Sequence, residues 1–243
     1  MHLSRRTPLV AALFLLSAYP LRANAAADPS GHWVGKIQMP DNQLSITVDL
    51  AKSATGAWMG SISIPVSTTI DVPLSDMTVE GTAVRFMASL PGKTTFDGSL
   101  SADANGLSGT VSNFHGTVPF QLTRNGEASV NVPPPSSALP KIFEGAWEGT
   151  LDVGGKVMRI VLKLSPAADG TAMATLINLD QGNQEIPVTT VTVKEAQLQL
   201  ESRVVSGTYR GTLGPGGEIV GEWVQRAVRL PLVFRRPVAT ESR

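Results

Sequence analysis

The chain has 243 residues, of which 20 are Lys or Arg, 20 are Asp or Glu, and none is Cys. Three arginines (Arg5, Arg6 and Arg22) lie in an N-terminal segment that we expect to be removed, which leaves 17 basic against 20 acidic residues and a net charge of −3. This mild acidity argues against a protein that binds nucleic acid or anionic membranes through clustered basic side chains. The lack of Cys excludes disulfides, thiolate metal sites and thiol nucleophiles.

Residues 1–25 have the three parts of a secretory signal peptide. A basic start ends at Arg6, an apolar run fills residues 8–19, and Ala-Asn-Ala at residues 23–25 supplies the small residues of a cleavage site. The apolar run is too short to cross a bilayer as a helix. A buried N-terminal helix is the alternative interpretation. We expect Sec-type export to the periplasm or the medium, and no transmembrane segment.

The rest of the chain contains an internal repeat. The motif Gly-x-Trp-x-Gly at residues 31–35 returns at residues 145–149, which is 114 positions later. The motif Pro-x-x-Leu-x-Arg at residues 119–124 matches Pro-x-x-Phe-x-Arg at residues 231–236. The small drift in offset falls where Gly and Asn mark turns, as insertions in loops would produce. The sequence therefore predicts two copies of one module.

The segment between the copies differs from both in composition. Residues 125–140 include three consecutive prolines at 133–135, which favour a semi-extended linker that does not pair in a sheet. We predict the following organisation: signal peptide 1–25, first β-barrel module 26–124, Pro-rich linker 125–140, second β-barrel module 141–236 and flexible tail 237–243.

Each copy has the pattern of about eight short antiparallel strands. Apolar and polar residues alternate strictly over residues 44–50, as in a half-buried strand. No amphipathic helical run of useful length is present. Gly35, Gly98 and Gly109 fall on the inward positions of their strands, which indicates a strongly coiled sheet. Because closure would also remove exposed strand edges, we predict an all-β chain with two small antiparallel up-and-down barrels in tandem.

The opening and closing motifs are similar to those of small β-domains that precede lysophospholipase-like α/β-hydrolase domains in secreted bacterial proteins. The second copy carries the likeness at residues 145–149, 181–188 and 221–225, and the first copy keeps part of it at residues 70–74. The resemblance implies a lipocalin-like or related small barrel. It implies no chemistry for this chain, which has no Gly-x-Ser-x-Gly nucleophile elbow.

A looser likeness to lipocalins rests on Trp33 and Trp147 in the first strand of each copy, and on Arg124 and Arg236 at the end of the last strand. In an up-and-down barrel these two strands are antiparallel neighbours. We therefore expect each Arg to lie across its Trp within about 6 Å, as a structural cation–π lid worth about 0.5–2 kcal/mol. The alternative is a buried Trp with its Arg in water.

The sequence offers no catalytic or metal-binding constellation. Only His32 and His115 follow the signal peptide, and the barrel topology puts them at opposite ends. Two histidines without Cys disfavour a zinc site. We predict no cofactor, no metal site and no catalytic residue, and we interpret the protein as non-enzymatic, with a cryptic hydrolase as the alternative.

Binding is the remaining class of function. Trp58, Phe96, Tyr209 and Trp223 are the candidate ligand-binding residues, because they can line a barrel interior or its mouth. Barrels of eight strands can hold one small apolar ligand, although inward aliphatic side chains can instead fill the lumen. The leading hypothesis is an exported protein that binds a small apolar molecule or a partner protein. The rival is an accessory module that acts on a separately encoded secreted hydrolase.

Overall fold

The computed structural model describes residues 28–237, so the predicted signal peptide and most of the predicted tail lie outside the described residues. These residues form an all-β structure with one short 3-10 turn at Lys141–Phe143. The first half of the described chain contains the strands β1 (Gly31–Gln38), β2 (Gln43–Lys52), β3 (Trp58–Ile64), β4 (Thr69–Glu80), β5 (Ala83–Ala88), β6 (Thr94–Leu100), β7 (Gly106–Asn113) and β8 (Gly116–Arg124). The second half contains the strands β9 (Gly145–Val153), β10 (Lys156–Pro166), β11 (Ala172–Asn178), β12 (Gln184–Pro187), β13 (Thr190–Lys194), β14 (Gln197–Ser202), β15 (Gly207–Leu213), β16 (Ile219–Gln225) and β17 (Val228–Phe234).

The first half is a closed barrel in which each strand pairs with its neighbour in sequence. β1 and β8 close it as an antiparallel pair, from Trp33 opposite Arg124 to Ile37 opposite Phe120. Alternation explains the inward face, because Ile46, Val48 and Leu50 on β2 are buried. The predicted neighbour relation of the first and last strands is confirmed here.

Steric crowding explains why glycine occupies two inward positions of the barrel. A Cβ added to Gly109 would lie 2.0 Å from the carbonyl oxygen of Asp97 and 2.6 Å from the Cα of Gly98, the residue that pairs with it. A Cβ added to Gly35 would lie 2.0 Å from the carbonyl oxygen of Gln121. Adjacent backbones approach so closely that no other residue fits without displacing them.

The second half forms two sheets instead of one closed ladder. One sheet has the order β12-β11-β10-β9, and the other runs from β13 to β17 in sequence order. Two seams separate them. At the first, β9 and β17 are joined by one bridge, in which Glu148 and Arg235 exchange backbone hydrogen bonds of 2.7 and 2.8 Å. The second seam lies between β11 and β13. The second half has nine strands, because β12 and β13 stand where the first half has the single strand β4.

The predicted linker is part of this fold, which corrects the expectation that it does not pair. Residues 136–139 lie in the seam between β11 and β13. The Ser137 amide donates to the carbonyl of Val191 at 2.9 Å, and its own carbonyl accepts from the Ala172 amide at 2.8 Å. Leu139 and Phe143 are buried in the core of the second half. The two serines that follow the three prolines hydrogen-bond to both strand edges, Ser136 to β13 and Ser137 to β11 and β13.

Candidate functional site

The two ends of the closed barrel differ in chemistry. The turns after β1, β3, β5 and β7 meet at one end, which we call the mouth. Large apolar side chains project from these turns: Met39 is 42% exposed, Val66 is 75% exposed and Phe114 is 73% exposed. At the opposite end, the turns at residues 53–57 and 101–105 consist of small and polar residues. An apolar ligand would therefore meet apolar surface at the mouth.

A concavity of about 590 Å³, which we call the mouth cup, opens at this end. Most of its wall is aliphatic, and its polar contributors are hydroxyl, amide and imidazole side chains. None of the residues that line it is Lys, Arg, Asp or Glu. The lining residues are Ile37, Met39, Pro40, Leu44, Ile46, Ile62, Ile64, Thr69, Leu90, Pro91, Thr94, Val111, Asn113, His115, Gly116, Val118, Gln184, Val204 and Val205.

The lumen between the strands of the barrel is filled by side chains. Phe86 stacks on Phe96 with ring centroids 4.7 Å apart, and Phe96 meets Phe120 edge-on at 5.4 Å. All three are buried. The sequence leaves open whether the lumen holds a ligand or is filled by side chains. The middle of this barrel is filled, and open space occurs at its mouth.

The second half of the chain supplies one wall of the mouth cup. The turn between β14 and β15, residues 203–206, reaches the mouth, and we call it the docking turn. Val204 is 5% exposed and belongs to the core of the first barrel, although it comes from the second half. Val205 packs against the cores of both halves. The cup is thus a composite of residues far apart in sequence.

The four candidate ligand-binding residues do not line the mouth cup. Phe96 and Tyr209 are fully buried, in the cores of the first and second halves. Trp223 is 7% exposed within the second core, and Trp58 is partly exposed beside Lys52, whose Nζ lies 4.7 Å from the indole. The structure therefore does not bring these four residues together, and their role in binding remains a sequence-based prediction.

The Tyr209 phenol is buried and has a structural hydrogen bond. Its hydroxyl lies 3.1 Å from the carbonyl oxygen of Ile219 and 3.2 Å from that of Leu232, so it donates a shared hydrogen bond there. Removal from water raises the pKa of the Tyr209 phenol well above its usual value. The phenol stays protonated and acts as a structural donor between strands.

Both Trp–Arg pairs have the geometry that the sequence predicts. The guanidinium carbon of Arg124 lies 4.5 Å from the ring centroid of Trp33, and that of Arg236 lies 3.7 Å from Trp147. Both distances are within the range of about 6 Å for cation–π contact. Each Trp also donates its indole N–H to a backbone carbonyl four residues earlier, at 2.9 Å to Pro29 and 2.8 Å to Phe143.

Each Arg also fastens the segment that enters the first strand of its half. Arg124 donates to the carbonyls of Asp28 and Ser30, and Arg236 donates to the carbonyls of Ile142 and Glu144. Partial desolvation against the Trp147 ring lowers the pKa of the Arg236 guanidinium. The contacts hold the strand entry against the ring, which is a structural role.

The histidines lie at opposite ends of the barrel. His32 is beside the end of β8, and its Nδ1 is 3.0 Å from a carboxylate oxygen of Asp49, which also accepts from the Ser129 amide at 2.8 Å. His115 lies at the mouth and lines the cup. Among residues 28–237, no cluster of three or more His, Asp or Glu side chains is arranged to hold a metal ion.

Sequence reasoning missed the mouth cup and the docking turn. One feature of the sequence does indicate the docking turn: the apolar pair Val204-Val205 lies in a turn, where polar residues are more usual. Arg203 beside it gave no indication of its partners, which come from residues 71 and 131. Contacts between residues so far apart depend on how the two halves meet. The alternation of apolar and polar residues within either half does not determine that arrangement.

Comparisons with known proteins show no family for this chain. No protein family matches the chain, and no curated protein matches it significantly. A candidate outer membrane protein of Bacteroides fragilis is 13% identical, with 84% of this chain and 96% of that chain covered and a TM-score of 0.28. A DUF3598-family protein of unknown function from Nostoc punctiforme is 14% identical over 86% of this chain and 96% of that chain, with a TM-score of 0.24. Within residues 28–237 no helix is long and apolar enough to cross a membrane.

Proposed function

We propose that this protein is an exported, non-enzymatic binding protein that holds a small, uncharged apolar molecule in the mouth cup. The observation that carries the proposal is the cup itself, a largely aliphatic concavity of about 590 Å³ at the apolar end of a closed barrel. Its size lies within the range of about 300–1,000 Å³ typical of small-molecule sites. Export is inferred from the signal-peptide pattern of residues 1–25.

The lining of the cup supports an uncharged ligand. A carboxylate or sulfonate moved from water into an aliphatic wall needs a cation or several donors to offset its desolvation. The cup has no Lys or Arg among its lining residues, and its polar groups include Asn113, His115 and Gln184. These groups suit a ligand with one neutral polar end, such as a hydroxyl or carbonyl.

We further propose that the second half is an opened copy of the same barrel. Its strands pair in sequence order within each sheet, and the Trp–Arg contact recurs at the junction of its first and last strands. In this proposal the second half has lost closure at two seams and serves to complete the cup of the first half.

Titration with a neutral fluorescent probe, N-phenylnaphthylamine, tests the proposed function. We expect saturable binding of one probe per chain, and at least about tenfold weaker binding of the anionic probe anilinonaphthalene sulfonate, because the sulfonate loses its hydration without gaining a cation. Leu44→Trp places an indole in the cup and should abolish binding of the neutral probe.

Val34→Trp is the matched control. Val34 is on the outer face of β1 in the same barrel and is 39% exposed, so an indole there leaves the cup unchanged. Equal binding of the probe by the wild type and by Leu44→Trp would contradict the assignment. Capture of a secreted hydrolase by a protein that binds no probe would instead favour the accessory role.

A further inference from the structure

The docking turn is held at the mouth by hydrogen bonds from both sides. Thr69 Oγ1 donates to the carbonyl of Val204 at 2.9 Å, and the Ile70 amide donates to the carbonyl of Arg203 at 3.1 Å. In the other direction, Ser206 Oγ donates to the carbonyl of Thr68. The start of β4 and the turn are thus joined by one backbone hydrogen bond and by two bonds from hydroxyl side chains to backbone carbonyls, which fix the position of the turn relative to the barrel.

Arg203 anchors the same turn through its side chain. Its Nη1 donates to the carbonyl of Asp71 at 2.9 Å and to the carbonyl of Asn131 at 2.6 Å, and its Nε lies 3.4 Å from the carboxylate of Glu201. Only 11% of the Arg203 side chain is exposed. Charge-assisted bonds from a nearly buried guanidinium are stronger than ordinary surface contacts, so Arg203 is the main polar anchor between the halves.

The anchored turn projects apolar side chains into the site. Val204 and Val205 line the mouth cup together with strands of the first barrel, and Val204 is almost fully buried there. A ligand in the cup would therefore contact both halves of the chain. Removing carbon atoms from Val204 would enlarge the cup, and adding one would shrink it.

We propose that the docking turn is the wall that sets the size of the bound ligand, and that ligand binding is linked to the docking of the two halves. This inference rests on the proposed function of the mouth cup. The linkage follows from thermodynamics, because a ligand that contacts Val204 and Val205 only in the docked state favours that state by its differential affinity. The second half is then a size selector for the first.

Two substitutions at one position test the size rule in opposite directions. Displacement of N-phenylnaphthylamine by octanol, decanol and dodecanol measures the preferred ligand length. Val204→Ala should favour the longer alcohols by about fivefold relative to the wild type, and Val204→Ile should disfavour them by a similar factor, as expected for one or two carbons in an apolar pocket. Unchanged length preference in both variants would overturn the size rule.

A third substitution tests the linkage. Arg203→Ala should weaken the docked state, so that the Ile70 amide exchanges its hydrogen at least about tenfold faster and the probe binds several-fold more weakly. Added decanol should slow exchange at Ile70 in the wild type. Arg210→Ala is the matched control, because Arg210 is an exposed arginine on β15 whose side chain, among residues 28–237, bonds only to Gln199.

The outcomes separate the two proposals. A wild-type protein that binds no probe overturns the proposed function, and the inference with it. A wild-type protein that binds probe, but with the same affinity after Arg203→Ala despite faster exchange at Ile70, overturns the inference alone and leaves the cup as a site of the first barrel.

Discussion

The two halves of the chain share their landmark residues but differ in closure. In the first half, β1 and β8 pair over five residues, and β4 is a single strand from Thr69 to Glu80 with a bulge between Ser75 and Thr78. In the second half, the corresponding junction has one bridge, and two short strands stand in place of β4. The comparison shows that a Trp, an Arg and inward glycines at matching places do not by themselves close a barrel. Continuity of the fourth strand distinguishes the closed half from the open one.

The open half compensates with material from outside its sheets. Residues 136–139 hydrogen-bond to strand edges at the seam, and Leu139 and Phe143 enter the core. The first half has no such insert in its ladder and instead retains the open mouth, which the docking turn partly covers. Each half is therefore covered or filled by a segment outside its own strands, which is the docking turn for the first half and residues 136–139 for the second.

Replacing Gly35 and its counterpart Gly149 with Ala should produce the largest difference in stability between the two halves. Gly35→Ala places a Cβ 2.0 Å from the backbone oxygen of Gln121 in a fully paired ladder, whereas Gly149→Ala places one 2.7 Å from the backbone oxygen of Val233 beside the seam. We expect Gly35→Ala to lower the free energy of unfolding by about 3 kcal/mol and Gly149→Ala by about 1 kcal/mol, because only the seam can widen. Urea unfolding followed by circular dichroism measures both, and hydrogen exchange assigns the loss to a half. Equal losses would contradict the idea that the seam is mechanically softer.

Removing a contact that residues 136–139 make with β13 should affect the open half alone. Ser137 Oγ accepts a hydrogen bond from the Val193 amide at 2.8 Å. Ser137→Ala leaves that strand-edge amide without its acceptor, which should cost about 1–2 kcal/mol in the second half. Faster hydrogen exchange at Val193, with unchanged exchange in β1 to β8, is the expected result. Ser112→Ala, which removes an exposed hydroxyl pair with Thr117, is the control and should change neither half. A loss of protection in both halves would show that residues 136–139 stabilise the association of the halves instead.

The sequence was sufficient for what is local and insufficient for what is long-range. Alternation and turn residues predict an all-β chain. The glycine at inward position 109 predicts a close approach of backbones, and the structure has no room for a Cβ there. The pairing of Trp33 with Arg124 followed from the topology of an up-and-down barrel. The mouth cup did not follow, because its wall at Val204 comes from the other half of the chain. Alternation places Phe96 and Tyr209 on inward positions but does not distinguish a residue that lines a cavity from one that fills the core, and the packing uses both to fill the cores.

The smallest difference between the halves should come from the Trp–Arg pairs, where the halves are most alike. Arg124→Lys and Arg236→Lys keep the positive charge but lose the planar group that both stacks on the indole and donates to several carbonyls at once. Arg124 is partly buried, donates through three nitrogens, and closes a continuous ladder, whereas Arg236 is exposed beside the seam. We expect Arg124→Lys to cost about 1–2 kcal/mol and Arg236→Lys about 0.5–1 kcal/mol in urea unfolding. Lys36→Arg, on the outer face of β1, controls for the exchange of one cation for another. If Arg236→Lys costs as much as Arg124→Lys, the guanidinium is what holds β9 against β17, and the single bridge at Glu148 is secondary to it.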